Sequence, residues 1–480
     1  MILKWFNVPY STIYNSLMLL ASWSHDLSAT NPYHAGACGR RGVKKRKAND
    51  LEGLPSRKSL RLQLQGDIKD GSLSFEALEQ ASFAAAEREA EADIIPSGPL
   101  QMIDAYKLEQ DIWDETKLFL GSIQNFRSKT PSSNMNLIPL DKYQSTLEEL
   151  KVTEESYAKV VPSRIYSMEF YPSTTSVLIA AGDRDGYVGI WDILSSRGAS
   201  EGVHLFRPHQ RPINCLSFRP YFTHHLLTTS YQGNVRSADL QNLVFEEVYH
   251  DPDDLWITYH TFQSPHTILI GRGDGSVTLV DLRGHQKQKG YNAIYPCHSS
   301  KRANAVKSLC FHPLKKELLL TASRDGDVSL WDIRGKMTKP VTTLPHSRIV
   351  HSALFSPLTG KRIATTCTDN HLRLYGSEDP GKIKLLRSWY HDNNTGRFIV
   401  PFKLKWHPQR DDVLFSPSKL FPRRIEAWNS EGMLLSNLIS EDHLQSICSI
   451  VCHHKHLTIV AGGNGSGRIY LFHKGLKPIS

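Results

Sequence analysis

Apolar residues recur along this chain with the two-residue period of a strand, in short runs that stop at turn residues. Residues 321–334, TASRDGDVSLWDIR, show the unit: an apolar run, the pair Asp325-Gly326, then Val328 and Leu330 alternating with Asp327 and Ser329 up to Trp331-Asp332. A two-residue hairpin needs backbone at positive φ, which Asp-Gly supplies, and the alternation turns one strand face inward. The pattern returns at Val188/Asp192, Val235/Asp239, Val277/Asp281, Leu372/Gly376, Ile425/Asn429 and Ile469/His473, in steps of 42 to 53 residues, although the sixth copy lacks a clean Asp-Gly turn. Five copies also open with a strand that ends in an aromatic-x-Pro turn, at Phe170, Phe218, Phe311, Phe355 and Trp406. Proline has no N–H to give to a ladder, so it stops the strand there.

Seven units at this spacing match the WD40 repeat, in which each unit is one four-stranded propeller blade that buries its faces only against its neighbours. The expected fold is therefore all-β, a seven-bladed WD40 β-propeller over residues 151–480, behind a largely disordered basic N-terminal extension over 1–150. Beyond 469–472, the third strand of blade seven, the chain is too polar and too rich in Pro and Gly for a fourth. Ala158, Lys159, Val160 and Val161 are expected to supply it, closing the ring and removing an exposed edge. In the extension the period changes. Residues 75–93, rich in Ala and Glu, predict a helix after a Ser74 cap, and a second helix is expected over 102–120. Pro96 and Pro131, among polar residues, predict flexibility up to about residue 150.

Composition adds a formal net charge of +9 and a pI of about 9.0 over 480 residues, which points to an anionic partner or a basic tail. The dense run over 40–47, with Lys44, Lys45, Arg46 and Lys47, resembles a nuclear localisation signal and predicts the nucleus. Residues 1–24 are apolar and aromatic, but Ser11, Thr12, Asn15 and Ser16 interrupt them, so neither a secretory signal nor a membrane span is expected. No other stretch approaches 18 apolar residues, and a soluble protein without a membrane partner is expected. The seven cysteines are scattered through apolar strands and read as reduced thiols. Cys448 and Cys452 beside His453, His454 and His456 fit no zinc spacing, so no metal is expected. The chain has no Gly-rich phosphate loop or nucleophile elbow, and neither a cofactor nor an enzyme is expected. His209, His298 and His346 recur at crossovers, where they can serve hydrogen bonds inside the blades.

Strand direction decides where the charges go. In a four-stranded antiparallel blade, the turn between strands two and three and the crossover to the next blade leave at the same end. Arg184, Arg272 and Arg324 flank those turns. Arg423 and Arg424 stand in blade six, and Arg211, Lys301, Arg302, Arg348 and Arg397 in crossovers, with Phe398 beside Arg397. Together they predict a positive ring at a channel mouth, suited to DNA through its phosphate backbone, with weak sequence preference and with Phe398 free to stack on bases. The alternative is a protein-only scaffold recognising histone or degradation-substrate peptides, the basic rim meeting acidic segments. The opposite rim receives Trp331-Asp332-Ile333-Arg334 and Val280-Asp281-Leu282-Arg283. Trp331 and Asp332 have structural roles first, whereas the fold does not need Arg334, which reads as a partner contact.

The chain resembles the WD repeat-containing protein 76 family and its fungal counterparts. The resemblance rests on Val160-Val161-Pro162 up to Tyr166, Ala180-Ala181-Gly182-Asp183 up to Asp192, Phe245-Glu246-Glu247-Val248-Tyr249, Thr395-Gly396-Arg397, Pro422-Arg423-Arg424-Ile425-Glu426, Ala461-Gly462-Gly463-Asn464 and the basic piece Ser59-Leu60-Arg61-Leu62. More distantly the propeller is similar to damage-specific DNA-binding protein 2. The resemblance implies a nuclear protein of the DNA damage response that binds DNA, including ultraviolet-damaged DNA. It also implies that Trp331, Asp332 and Arg334 form the box that docks on the adaptor of cullin-4 ubiquitin ligases, damage-specific DNA-binding protein 1. One departure is local: the distant relative carries an aromatic, a glutamine and a histidine on an inserted hairpin where this chain has Gly396-Arg397-Phe398.

Overall fold

The computed structural model describes residues 95–107, 113–123, 138–173, 175–194, 201–283, 293–298, 304–335, 337–379, 381–396 and 399–475. Seven antiparallel sheets of four strands follow one another along the chain. In blade one Ile165–Phe170, Leu178–Asp183, Val188–Asp192 and Val203–Phe206 lie side by side in chain order, and blades two to six repeat that order. The first strands of successive blades pack against one another around the axis and form the channel wall. Ile, Val and Leu on alternating positions of the first three strands fill the space between blades, as in Ile213, Leu227 and Val235, all below 1% exposed.

Blade seven is completed from the other end of the propeller. Tyr157–Lys159 pairs antiparallel with Arg468–Phe472, placing Tyr157 opposite Tyr470, Ala158 opposite Ile469 and Lys159 opposite Arg468. Val160 and Val161 then donate their N–H groups to the Gly467 carbonyl at 2.9 and 3.2 Å. The backbone that would have been a bare edge is satisfied internally, which locks the ring.

Inside the blades a buried polar ladder ties crossovers to strands. His298 Nε2 stands 2.7 Å from Thr321 Oγ1, which also receives the Trp331 indole N–H at 2.9 Å. His209 meets Thr228 at 2.8 Å and His346 meets Thr365 at 3.1 Å in the same way. Burial pushes His209 down to about 3 and His298 down to about 4, so both are neutral at physiological pH. Gly326, at φ 99°, shows how closely the crossover packs on the hairpin turn: a Cβ there would come within 2.6 and 2.7 Å of the His346 and Arg348 carbonyl oxygens.

The expectation of flexibility up to residue 150 is corrected by the described parts of the extension, which pack on the propeller. Leu100–Gln101 adds a fifth strand to blade two, Leu100 opposite Phe245 and Gln101 opposite Val244. The buried Arg236 donates to the Pro96 carbonyl and pairs with Glu247 at 3.7 Å, holding the approach to that strand. Three helices follow: α1 (Met102–Ala105), α2 (Trp113–Ile123) and α3 (Leu140–Glu148). The first two bury Met102, Phe119, Leu120 and Ile123 against Phe206 and Phe245, and the Phe119 ring stacks on His204 at 3.9 Å. α3 buries Tyr143 and Leu147 against Phe415, Leu438 and Phe472. Each such side chain contributes about 1.5–3 kcal/mol by leaving water, enough to outweigh the Pro and polar residues on which flexibility was expected. Residues 1–24, the basic run with Lys44, Lys45, Arg46 and Lys47, and the helix expected over 75–93 lie outside the described residues.

Candidate interaction site at the channel mouth

At the rim where the turns between strands two and three emerge, five blades share one backbone contact. The N–H groups of Arg184, Tyr231, Gly273, Arg324 and Thr368 donate to the carbonyls of Arg164, Pro212, Trp256, Ala305 and Ile349 at 2.9–3.1 Å. That contact fixes equivalent positions in blades one to five. Arg184 and Arg324 therefore point outward at the same place, and both are exposed. Arg184 donates to Asp185 at 3.1 Å. Arg211 and Arg348, in the crossovers of blades two and five, are exposed on the same rim.

Arg272 is not part of that surface. It stands one residue earlier than Arg184 and Arg324, where the other blades carry Asp183, Ser230, Ser323 and Cys367, and a one-residue offset in a strand sends a side chain to the other face. Its side chain is 3% exposed and donates at 3.0 Å to both Asp251 and Asp253. Burial by itself would pull the Arg272 guanidinium down, but the hydrogen bonds and charge of Asp251 hold it above its ordinary value. The Trp256 ring occupies the space above Gly273, where an exposed side chain would have stood.

Arg423 and Arg424 are spent on their own turn. Arg423 donates to the Lys419 carbonyl, and Arg424 donates to the carbonyls of Pro422 and Phe421 at 3.0 and 2.9 Å, leaving both half-buried. Lys301, Arg302, Arg397 and Phe398 lie outside the described residues. Of the cations expected on one ring, Arg184, Arg211, Arg324 and Arg348 are the ones the described rim exposes.

Below the rim the channel wall carries cations that the sequence reading missed. Lys307, on the first strand of blade four, sits over the Trp256 ring at 5.5 Å, and Lys403, at the entry to blade six, sits over the Tyr259 ring at 5.1 Å. Tyr231 packs beside Trp256 with ring centroids 5.2 Å apart. Further along the channel Lys405 and Glu169 interact electrostatically. Burial pulls Lys307 down to about 8, helped by the charge of Arg324. It pulls Lys403 down to about 8 as well, with Lys405 and Lys307 adding to the effect. Burial also raises the Glu169 carboxyl to about 7, against the opposing charge of Lys405. The signal was present in the sequence: lysine interrupts otherwise apolar first strands in VKSLCF and in the approach to KW.

On the opposite rim two Asp-x-Arg units repeat in adjacent blades. Arg334 bridges to Asp332 at 2.5 Å and Arg283 to Asp281 at 2.6 Å, with side chains 71% and 67% exposed. Trp331 is 2% exposed and bound to Thr321, so at this rim the exposed group of that box is the Asp332–Arg334 pair. Among the described residues no group of His, Cys, Asp or Glu is placed to hold a metal, and no helix is long and apolar enough to cross a membrane. The six described cysteines are free.

A family model described as WD domain, G-beta repeat matches residues 291–332. The chain is 34% identical over 445 residues to WD repeat-containing protein 76 of Xenopus laevis, covering 90% of this chain and 73% of that one. It is 32% identical over 395 residues to the protein of the same name from Mus musculus, covering 80% of this chain but 61% of the mouse protein. DNA damage-binding protein CMR1 of Chaetomium globosum is 25% identical over 352 residues, with 66% of each chain covered. Among solved structures, the β-propeller domain of Cps50 (Swd1) from Myceliophteria thermophila superposes with a TM-score of 0.52 at 15% identity, covering 67% of this chain and 99% of that domain, a likeness of fold.

Proposed function

This chain belongs to the family of WD repeat-containing protein 76, and on that premise we propose that it is a nuclear, non-catalytic interaction platform with two working rims. The observation that carries the reading is the repeated, exposed Asp-x-Arg pair on adjacent blades, Asp281–Arg283 and Asp332–Arg334. The fold has no use for those guanidinium groups, and a planar fork held by its own carboxylate is a rigid, preorganised contact for a partner chain. The partner proposed for that rim is the adaptor of cullin-4 ubiquitin ligases, damage-specific DNA-binding protein 1, which makes the chain a substrate receptor. The channel-mouth rim then receives the substrate. Its cations favour acidic protein segments and disfavour basic ones such as histone tails by like charge.

DNA is the second reading. The similarity to the fungal DNA damage-binding protein CMR1 and the exposed Arg184, Arg211, Arg324 and Arg348 favour it. Phosphate contacts from four scattered arginines would be weak and strongly salt-dependent.

A nuclease-treated pull-down on the immobilised adaptor, with the full chain and with Arg283→Glu plus Arg334→Glu, tests the first reading. Retention by the native chain and loss in the double variant is the expected result. Equal retention of both, or of neither, rejects it. Titration of damaged and undamaged duplex at two salt concentrations, with the native chain and with Arg324→Glu plus Arg348→Glu, tests the second: salt-insensitive binding that survives the substitutions removes DNA from the rim.

A further inference from the structure

Lys307 and Lys403 reach into a cavity of ≈ 90 Å³ sunk beneath the channel mouth, with Tyr166, Tyr231, His351 and Asn214 on its walls. No carboxylate among the described residues lies within ion-pair distance of either ammonium group. Glu169, further along the channel, interacts with Lys405. Asn214, one of the lining residues, is 7% exposed; its Nδ2 donates to the Ile257 carbonyl at 2.8 Å, and its Oδ1 is buried without a partner. Two cations held only by aromatic rings, with no carboxylate beside them, and an unpaired buried acceptor are costly for a structural channel; a bound anionic group would relieve the first, and a donor carried with it the second.

We propose that this cavity receives a single anionic side chain, a carboxylate or a phosphorylated hydroxyl, presented by an extended peptide. The proposal rests on the interaction-platform reading above and names what the channel-mouth rim selects. The cations lie between the first strands rather than on the rim, so a side chain on a slim backbone reaches them while a phosphate on the surface of a duplex stays outside. A peptide also brings backbone N–H groups for Asn214 Oδ1, whereas a phosphodiester brings acceptors only. Burial pushes Tyr231 up to about 12 and His351 down to about 3, with Lys403 and Lys307 adding to the fall of His351. Both rings are therefore neutral at physiological pH, so the phenol keeps its O–H and the imidazole one N–H as donors. Lys307 and Lys403 supply the charge, with Arg324 beside the entrance.

Amine acylation of the full chain at about pH 8, read by mass spectrometry, tests this directly, because an anion seated on the two lysines keeps them protonated and unreactive. Three pools of Gly-flanked nonapeptides randomised beside a central Glu, phosphoserine or Ser serve as probes, with a duplex oligonucleotide as the fourth arm and the exposed Lys384 as internal control. The Glu or phosphoserine pool should lower acylation of Lys307 and Lys403 by roughly tenfold, the order of one charge-assisted hydrogen bond, and leave Lys384 unchanged. Greater protection by phosphoserine assigns the phosphate, greater protection by Glu the carboxylate. Lys403→Gln should remove binding of the effective pool in a polarisation titration, and Arg334→Glu should leave it intact. Equal protection by the Ser pool, no protection by any pool, or equal protection by the duplex overturns the proposal. The adaptor pull-down is unaffected by those outcomes, so failure of the cavity and failure of the platform are separable.

Discussion

Blades three and four begin from nearly the same hairpin, Gly271-Arg272-Gly273-Asp274-Gly275 and Ser323-Arg324-Asp325-Gly326, and end with opposite uses of the arginine. In blade four the arginine is the first residue past the strand and faces water at the mouth. In blade three it is the last residue of the strand, so it points between blades, and the crossover has supplied Asp251 and Asp253 to meet it. The interior ties differ accordingly. Blade four uses the neutral His298–Thr321–Trp331 ladder, and blade three uses a buried ion pair closed by Tyr249, whose hydroxyl donates to Asp251 at 3.2 Å. Two blades of one repeat thus tie crossover to strand with different chemistry, and a basic residue beside a turn is no guide to exposure until its register is known.

The largest effect that separates the two blades should come from Arg272→Ala, which leaves Asp251 buried and unpaired and should cost about 3–5 kcal/mol in denaturant unfolding. A loss under about 1 kcal/mol would return Arg272 to the surface class. Next, Lys307→Met should stabilise the protein by ~1–3 kcal/mol at neutral pH, because it removes a cation that burial and Arg324 oppose. Lys307 titrates at about 8 in the folded protein and near 10.4 when unfolded, so its penalty is complete below about pH 8 and fades toward pH 10. The advantage of the variant should shrink over that window, and an advantage that grows with pH would contradict the desolvated lysine. Trp331→Phe, which deletes the indole bond to Thr321, should cost about 1–2 kcal/mol, visible as a shift in the denaturant midpoint at unchanged slope. Smallest of all, Arg324→Ala should change stability by less than about 0.5 kcal/mol while weakening whatever anionic partner the mouth binds. A large loss of stability there would erase the contrast with blade three.

Much of this architecture was legible beforehand. The spacing of the alternating strand pattern counts the blades, the shortage of apolar residues after Phe472 announces that Ala158 and its neighbours must close the ring, and His209, His298 and His346 recur where the crossover needs them. A helix over 102–120 was legible, and α1 and α2 fall there; α3 was not expected, and the packing of none of them was legible, because Leu120 and Tyr143 are apolar whether or not a partner such as Phe206 or Phe472 is at hand.

Local chemistry and period therefore determined the strands, the turns, the number of repeats and the end of each blade at which a residue emerges, since those depend on neighbours within about one hairpin. The tertiary structure decided which face each of those residues takes. Arg272 pairs with a crossover some twenty residues away, Arg423 and Arg424 turn back on the carbonyls of Lys419, Pro422 and Phe421, and Lys307 and Lys403, nearly a hundred residues apart, meet in one cavity only because the ring closes. A side chain's cost or value as a charge is set by the groups that the closed fold brings beside it, and those come from other blades.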